Sequence, residues 1–158
     1  MTTKTSDRIE KQIVLRAGRA RVWRALTDAK EFGTWFRVEL ETAFAPGKKA
    51  TGAITHAGYE HVRFEATVER MEQERLFAFR WHPYAIDAKV DYGKEPTTLV
   101  EFKLADHPDG TLLSVVESGF DKVPAHRRGE AFLRNSEGWE IQLRNIEAHV
   151  ASKRAAGG

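Results

Sequence analysis

Phe132, Trp139, Leu143, Ile146 and Val150 recur at spacings of seven, four, three and four near the C-terminus, with charged residues between them. At about 100° per residue the five fall within roughly a 60° arc, so Gly129 to Lys153 is predicted to form one long helix with a single apolar face. That face needs a cover, and what precedes it is a run of short alternating segments. A long helix laid across a curved antiparallel sheet is the geometry of a container.

The alternation is period two. Ile9, Ile13 and Leu15 share one parity in the first segment, Arg8 to Leu15. Val22, Trp23, Ala25 and Leu26 then have helical spacing within Gly18 to Thr27, and Asp28 is placed to cap a second short helix ending near Gly33. Val38, Leu40 and Thr42 read as an edge strand before the turn at Pro46 and Gly47. Further rows are Ala50/Gly52/Ile54, Val62/Phe64/Ala66/Val68, Phe77/Phe79/Trp81 and Val100/Phe102/Leu104. The last is joined by a His107-Pro108-Asp109-Gly110 turn to a strand over Thr111 to Gly119. The order is strand, two short helices, six strands, long helix. This predicts an α+β helix-grip fold, with about seven antiparallel strands wrapped around the terminal helix. A helix packed tightly on that sheet gives a filled core, and a helix standing off it leaves a cavity; the pattern fits both.

Length and charge narrow the class. With 158 residues, 41% of them apolar, a single domain over 7–153 is expected, with flexible ends at 1–6 and 154–158 and fraying from Ala155 onward. The 25 basic and 23 acidic side chains are interspersed. That argues against a nucleic-acid-tracking surface, and the group Arg16, Arg19, Arg21 and Arg24 reads as a solvated helix face. Cysteine is absent, which excludes disulfides, thiolate nucleophiles and thiolate metal sites. No secretory signal is visible in Met1 to Lys11, and no apolar run approaches the roughly 18 residues a membrane span needs, so a cytoplasmic location without membrane insertion is expected.

Six fragments carry a resemblance in order along the chain. They are Ala20 to Thr27, Phe32-Gly33-Thr34-Trp35-Phe36, Phe44-Ala45-Pro46-Gly47, Thr97 to Phe102, Glu117-Ser118-Gly119-Phe120 and Glu137-Gly138-Trp139. With the element order they resemble the SRPBCC superfamily, which includes START lipid-transfer domains and the birch-pollen allergen. Within it the chain is similar to the bacterial branch named after the activator of heat-shock-protein-90 ATPase. The resemblance implies a hydrophobic-ligand-binding fold, usually without a cofactor, and supplies no shared catalytic motif. Tyr84 to Glu95 looks longer than in typical relatives.

The rows also nominate a site. If parity holds, Phe64, Phe77, Phe79, Trp81 and Phe102 face the terminal helix with Phe132, Trp139 and Leu143, and Trp35 lies near the entrance. These rings either fill the core or wall a cavity suited to flat apolar molecules. Glu117 shares parity with Leu113 and Val115, which puts a carboxylate on the apolar row, where it must be paired, protonated or wet, unless the strand end twists it into solvent. Ser136 lies on the apolar arc of the helix as a second polar contact or as a small spacer. His82 and Tyr84 flank the long linker from His82 to Pro96, a length more often functional than neutral. With Glu117 they are the acid–base candidates. His56 and His61 match no zinc spacing, and no metal site is expected. Nucleophile-elbow, phosphate-loop and dinucleotide signatures are absent.

The leading expectation is non-catalytic binding of a small apolar or aromatic molecule between sheet and helix. The alternatives are a polyketide cyclase, aromatase or hydrolase using the same cavity, and a protein-binding module that stimulates a chaperone ATPase.

Overall fold

In the computed structural model, residues 8–87 and 89–156 are described, with side chains through Ala151. The elements follow in the order β1 (Arg8–Leu15), α1 (Arg19–Thr27), α2 (Ala29–Phe36), β2 (Val38–Leu40), β3 (Lys49–Ile54), β4 (Arg63–Glu72), β5 (Leu76–Trp81), β6 (Thr98–His107), β7 (Gly110–Ser118) and α3 (Ala125–Ala156). Short 3-10 turns at Tyr92–Lys94 and Phe120–Lys122 interrupt two connections. Seven antiparallel strands form one sheet in the order β1-β7-β6-β5-β4-β3-β2. The predicted helix-grip fold is what forms.

Strands β1 and β2 are neighbours in sequence but occupy opposite edges of the sheet. Helices α1 and α2 bridge the gap, and their apolar sides, Val22, Ala25, Leu26, Phe32, Trp35 and Phe36, close one end of the sheet's inner face. Asp28 caps α2 as predicted, its carboxylate accepting from the backbone N–H groups of Lys30 and Glu31. The helix does not stop near Gly33. It runs to Phe36 and ends where Arg37 adopts a left-handed conformation with φ 72°. Gly33 serves a close approach instead, because a Cβ there would lie 2.3 Å from the Val38 carbonyl oxygen.

Helix α3 also exceeds its predicted bounds, starting at Ala125 rather than Gly129 and continuing through Ala156 rather than ending at Lys153. Its first turn is polar and basic, so no apolar period announces it. The flexible ends expected at 1–6 and 154–158 lie in part outside the described residues, at 1–6, 157 and 158.

The predicted parity holds in the middle of the sheet. Phe64, Ala66, Val68, Phe77, Phe79, Val100, Phe102, Leu113 and Val115 are buried on the inner face beneath Ala131, Trp139, Leu143, Ile146 and Val150 of α3. Arg63, Glu65, Glu69 and Arg80 are exposed on the outer face, where Arg80 pairs with Glu69 at 2.8 Å and Arg63 with Glu41 at 2.9 Å. Exposed pairs of this kind contribute about 1 kcal/mol at most. The inner rings contribute more: Phe79 is fully buried, with ring centroids 5.7 Å from Phe77, 6.1 Å from Phe102, 6.3 Å from Phe64 and 5.3 Å from Trp81.

Phe79→Ala is therefore expected to lower unfolding free energy by about 3–5 kcal/mol, and Arg80→Ala, one residue away on the outer face, by about 1 kcal/mol or less. Urea titration of both variants measures this; equal losses would contradict the assigned faces.

Candidate functional site

Strand register sets the site. Ile9 and Val100 both pair with Glu117, and Phe79 pairs with Val100, so Glu117 sits in a transverse row of otherwise apolar side chains on the inner face. It is 0% exposed, which removes the solvent-facing alternative. One step along the same strands, Trp81 pairs with Thr98, bringing an indole and a hydroxyl diagonally beside the carboxylate.

Four neutral donors meet Glu117. Oε1 accepts from Trp139 Nε1 at 2.8 Å and from Asn135 Nδ2 at 3.0 Å. Oε2 accepts from Trp81 Nε1 at 2.8 Å, from Thr98 Oγ1 at 2.6 Å and from the same Asn135 amide at 3.1 Å. The two indoles belong to different layers, sheet and helix, and stack at 5.8 Å. Among the described residues no Lys, Arg or His bonds this carboxylate. Burial pushes its pKa above the ordinary carboxylate range, and the hydrogen bonds from Thr98, the two indoles and Asn135 pull in the opposite direction. An indole N–H donates only, so an oxygen facing one must offer a lone pair. Glu117 is thus a satisfied acceptor joining β5, β6, β7 and α3.

A cleft of about 770 Å³ opens beside this network. Phe36, Phe64, Trp81, Asn135 and Gln142 line its inner part, and Ile54, Val62, Tyr84 and Ile86 line its walls. His56, Tyr59 and His61, around the β3–β4 connection, line it as well. His61 Nε2 lies 3.1 Å from the Ile86 carbonyl, which ties that connection to the long loop. Gln142 donates to the Phe36 carbonyl at 3.1 Å, holding the end of α2 against α3.

The loop after β5 forms one wall, and Arg127 of α3 holds it. Its guanidinium pairs with Glu95 at 2.8 Å, donates to the Pro83 carbonyl at 2.7 Å and lies 4.7 Å from the centre of the Tyr92 ring. Both charged side chains of the pair are 13% exposed, so they are shielded from solvent far more than the outer-face pairs. His82 Nε2 donates to the Glu95 carbonyl at 2.9 Å, and Tyr84 adopts a left-handed φ of 50°.

Of the residues nominated from the sequence, Phe64, Trp81, His82 and Tyr84 line this cleft. Phe77, Phe79 and Phe102 are packed against each other deeper in the core, and Leu143 is buried on the helix face above them. Trp139 reaches the site through Glu117. Trp35 is buried in α2, its Nε1–H donating to the Ala25 carbonyl at 2.8 Å, and it is the adjacent Phe36 that lines the cleft. Phe132 is half-buried against Phe120 at 5.2 Å. Ser136 is half-buried, and the polar contact to Glu117 comes from its neighbour Asn135. Glu117 lies under Trp81 and Asn135 with both oxygens engaged, so Glu117, His82 and Tyr84 do not present three free groups to one point. Among the described residues no three His, Cys, Asp or Glu side chains cluster as a metal site.

Asn135, Thr98 and Phe36 were not nominated from the sequence. Thr98 has the parity of Val100 and Phe102, and Asn135 precedes Trp139 by four, one helical turn away on the same side. Those two offsets were the available signals.

A family model described as activator of Hsp90 ATPase homolog 1-like protein matches residues 16–151. Protein MLL2253 from Mesorhizobium loti is similar in fold, with TM-score 0.73 and 21% identity over 92% of this chain and 97% of that one. DynU16, of the dynemicin biosynthetic locus, gives 0.72 and 20% over 93% of this chain and 48% of its own. The Aha1 dimer from Colwellia psychrerythraea gives 0.67 and 13% over 90% and 95%. At these identities the likeness is one of fold. No curated protein sequence matches the chain.

Removing the acceptor strands four donors, so Glu117→Leu is expected to destabilise by about 3 kcal/mol or more. The pH dependence has a definite sign. A carboxyl whose native pKa is raised binds its proton more tightly folded than unfolded, so its contribution is greatest below the ordinary value of 4.5 and declines as pH rises through the native pKa. The stability gap between wild type and Glu117→Gln should therefore narrow as pH rises. Urea midpoints across that range test it, and a widening gap would mean that the hydrogen bonds outweigh burial.

Proposed function

The chain belongs to the family of activator of Hsp90 ATPase homolog 1-like proteins, in the SRPBCC branch, and we propose that it binds a small, largely apolar or aromatic molecule in the cleft between the sheet, the loop after β5 and α3, without transforming it. One unit over 7–153 would carry this function. The observation that supports the reading is the cleft itself: about 770 Å³, with Phe36, Phe64, Trp81, Tyr84, Val62 and Ile86 in its lining beside Arg63, Glu65, Asp87 and Asp91. That size lies in the range of small-molecule sites. Burial of roughly 300 Å² of ligand apolar surface at about 25 cal/mol per Å² contributes on the order of 7 kcal/mol before entropic losses, consistent with micromolar affinity at best.

The enzymatic alternative finds less support. Its central carboxylate is fully buried and accepts from four donors, and His82 Nε2 is committed to the Glu95 carbonyl. A general base needs an accessible lone pair within reach of the substrate proton. Stimulation of a chaperone ATPase, which the family's name describes, calls for an exposed docking patch. Among the described residues the exposed large apolar side chains fall in two places, Tyr59 and Val90 at the cleft and Leu133 and Ile141 eight residues apart on α3, and do not form one continuous row.

Val62 is half-buried, lines the cleft and makes no contact with Glu117, so Val62→Trp should fill the space without disturbing the network. Retention of a host-derived small molecule is expected for the wild type on native mass spectrometry, with loss of that molecule in Val62→Trp at unchanged thermal stability. Equal occupancy in both proteins would place the ligand elsewhere and refute the reading.

A further inference from the structure

Asn135 is the one residue that both touches the buried carboxylate and lines the cleft from α3. Its amide is oriented by the carboxylate. Each Glu117 oxygen already accepts from a donor-only indole, and the Asn135 nitrogen bridges both at 3.0 and 3.1 Å, so it is the NH2 end that must face inward. The carbonyl end, Oδ1, makes no hydrogen bond with any described residue and is not among the buried atoms lacking a partner. The open space that Asn135 borders is the cleft. A fixed, unfilled acceptor is thus delivered to the inner wall.

The other polar group of α3 in the cleft is already satisfied. Gln142 gives its NH2 to the Phe36 carbonyl and takes a bond from Asn145 at 3.0 Å on its own oxygen. Trp81, also part of the inner lining, has spent its N–H on Glu117. The inner end of the cleft therefore combines the rings of Phe36, Phe64 and Trp81 with the acceptor of Asn135, and a carboxylate lies directly beneath. That combination receives an uncharged donor and offers an anion no free donor.

Building on the ligand-binding reading above, we propose that Asn135 is the specificity-determining residue of the cleft, and that the ligand is a flat aromatic compound whose inner end carries a neutral hydrogen-bond donor, such as a phenolic hydroxyl. The carboxylate of Glu117 acts as a positioning group that sets the Asn135 amide.

Three probes of equal ring size separate the possibilities: β-naphthol, its methyl ether and β-naphthoate, titrated by quenching of tryptophan fluorescence and by calorimetry. Wild type should bind β-naphthol roughly tenfold more tightly than the ether, the ratio one well-made hydrogen bond supports, with β-naphthoate weakest. In Asn135→Leu the naphthol and the ether should differ by about twofold or less, with binding of the ether retained. Equal wild-type affinity for naphthol and ether, or a preference that survives Asn135→Leu, would overturn the assignment while leaving the cleft a binding site. Failure of all three probes to bind the wild type would overturn the binding reading as well. The wild-type ranking alone decides the matter if Asn135→Leu does not fold.

Discussion

The carboxylate of Glu117 joins the two layers of this protein. The buried sheet-on-helix packing is otherwise apolar here and so fixes the separation of the layers without fixing how one slides along the other. Glu117 adds direction. Its two oxygens accept from one indole on β5, one indole and one amide on α3, and a hydroxyl on β6, and each bond requires a stated geometry. An unmet donor in that interior costs more than a bond gains, so α3 is held in the one register that satisfies all four. The lone pairs of that acid are committed to structure.

Where the hollow lies follows from that anchor. The aromatic side chains of β4, β5 and β6 meet each other and Trp139 at centroid distances of about five to six ångströms, so the middle of the sheet is filled. Beside the stacked indoles of Trp81 and Trp139 the filling stops, and a cleft opens that Asn135 and Gln142 of α3 and the loop after β5 line. Arg127 keeps that wall in place through an ion pair, a carbonyl contact and the face of Tyr92. The cleft therefore lies against the middle of α3, and its lining mixes aromatic and aliphatic side chains with Arg63, Glu65, Asp87 and Asp91.

Both outcomes left open by the hydrophobic pattern are present in one molecule, a filled core under the apolar face of the helix and a cleft beside it. Phe77, Phe79 and Phe102 belong to the first, and Phe64 and Trp81 face the second. Alternation identifies which residues point inward. It carries no information on whether an inward ring meets another ring or empty space, because that depends on the distance between layers that are remote in sequence.

The amino-acid order by itself determined the helix-grip fold, the inner face of every central strand, the Asp28 cap and the anomaly of an acid on the apolar row at Glu117. These follow from local periodicities of two and 3.6 residues and from side-chain chemistry that acts within a few residues. Tertiary structure alone decided the rest: that Gly33 is a crossing point and not a helix end, that α3 begins at Ala125, and that Asn135 rather than Ser136 turns toward Glu117. Two of these depend on contacts between segments far apart in the chain, Glu95 on Arg127 and β7 against α3, and the first on the tight turn that brings the Val38 carbonyl over Gly33. A linear pattern does not encode such distances; they exist only once the layers have closed on one another.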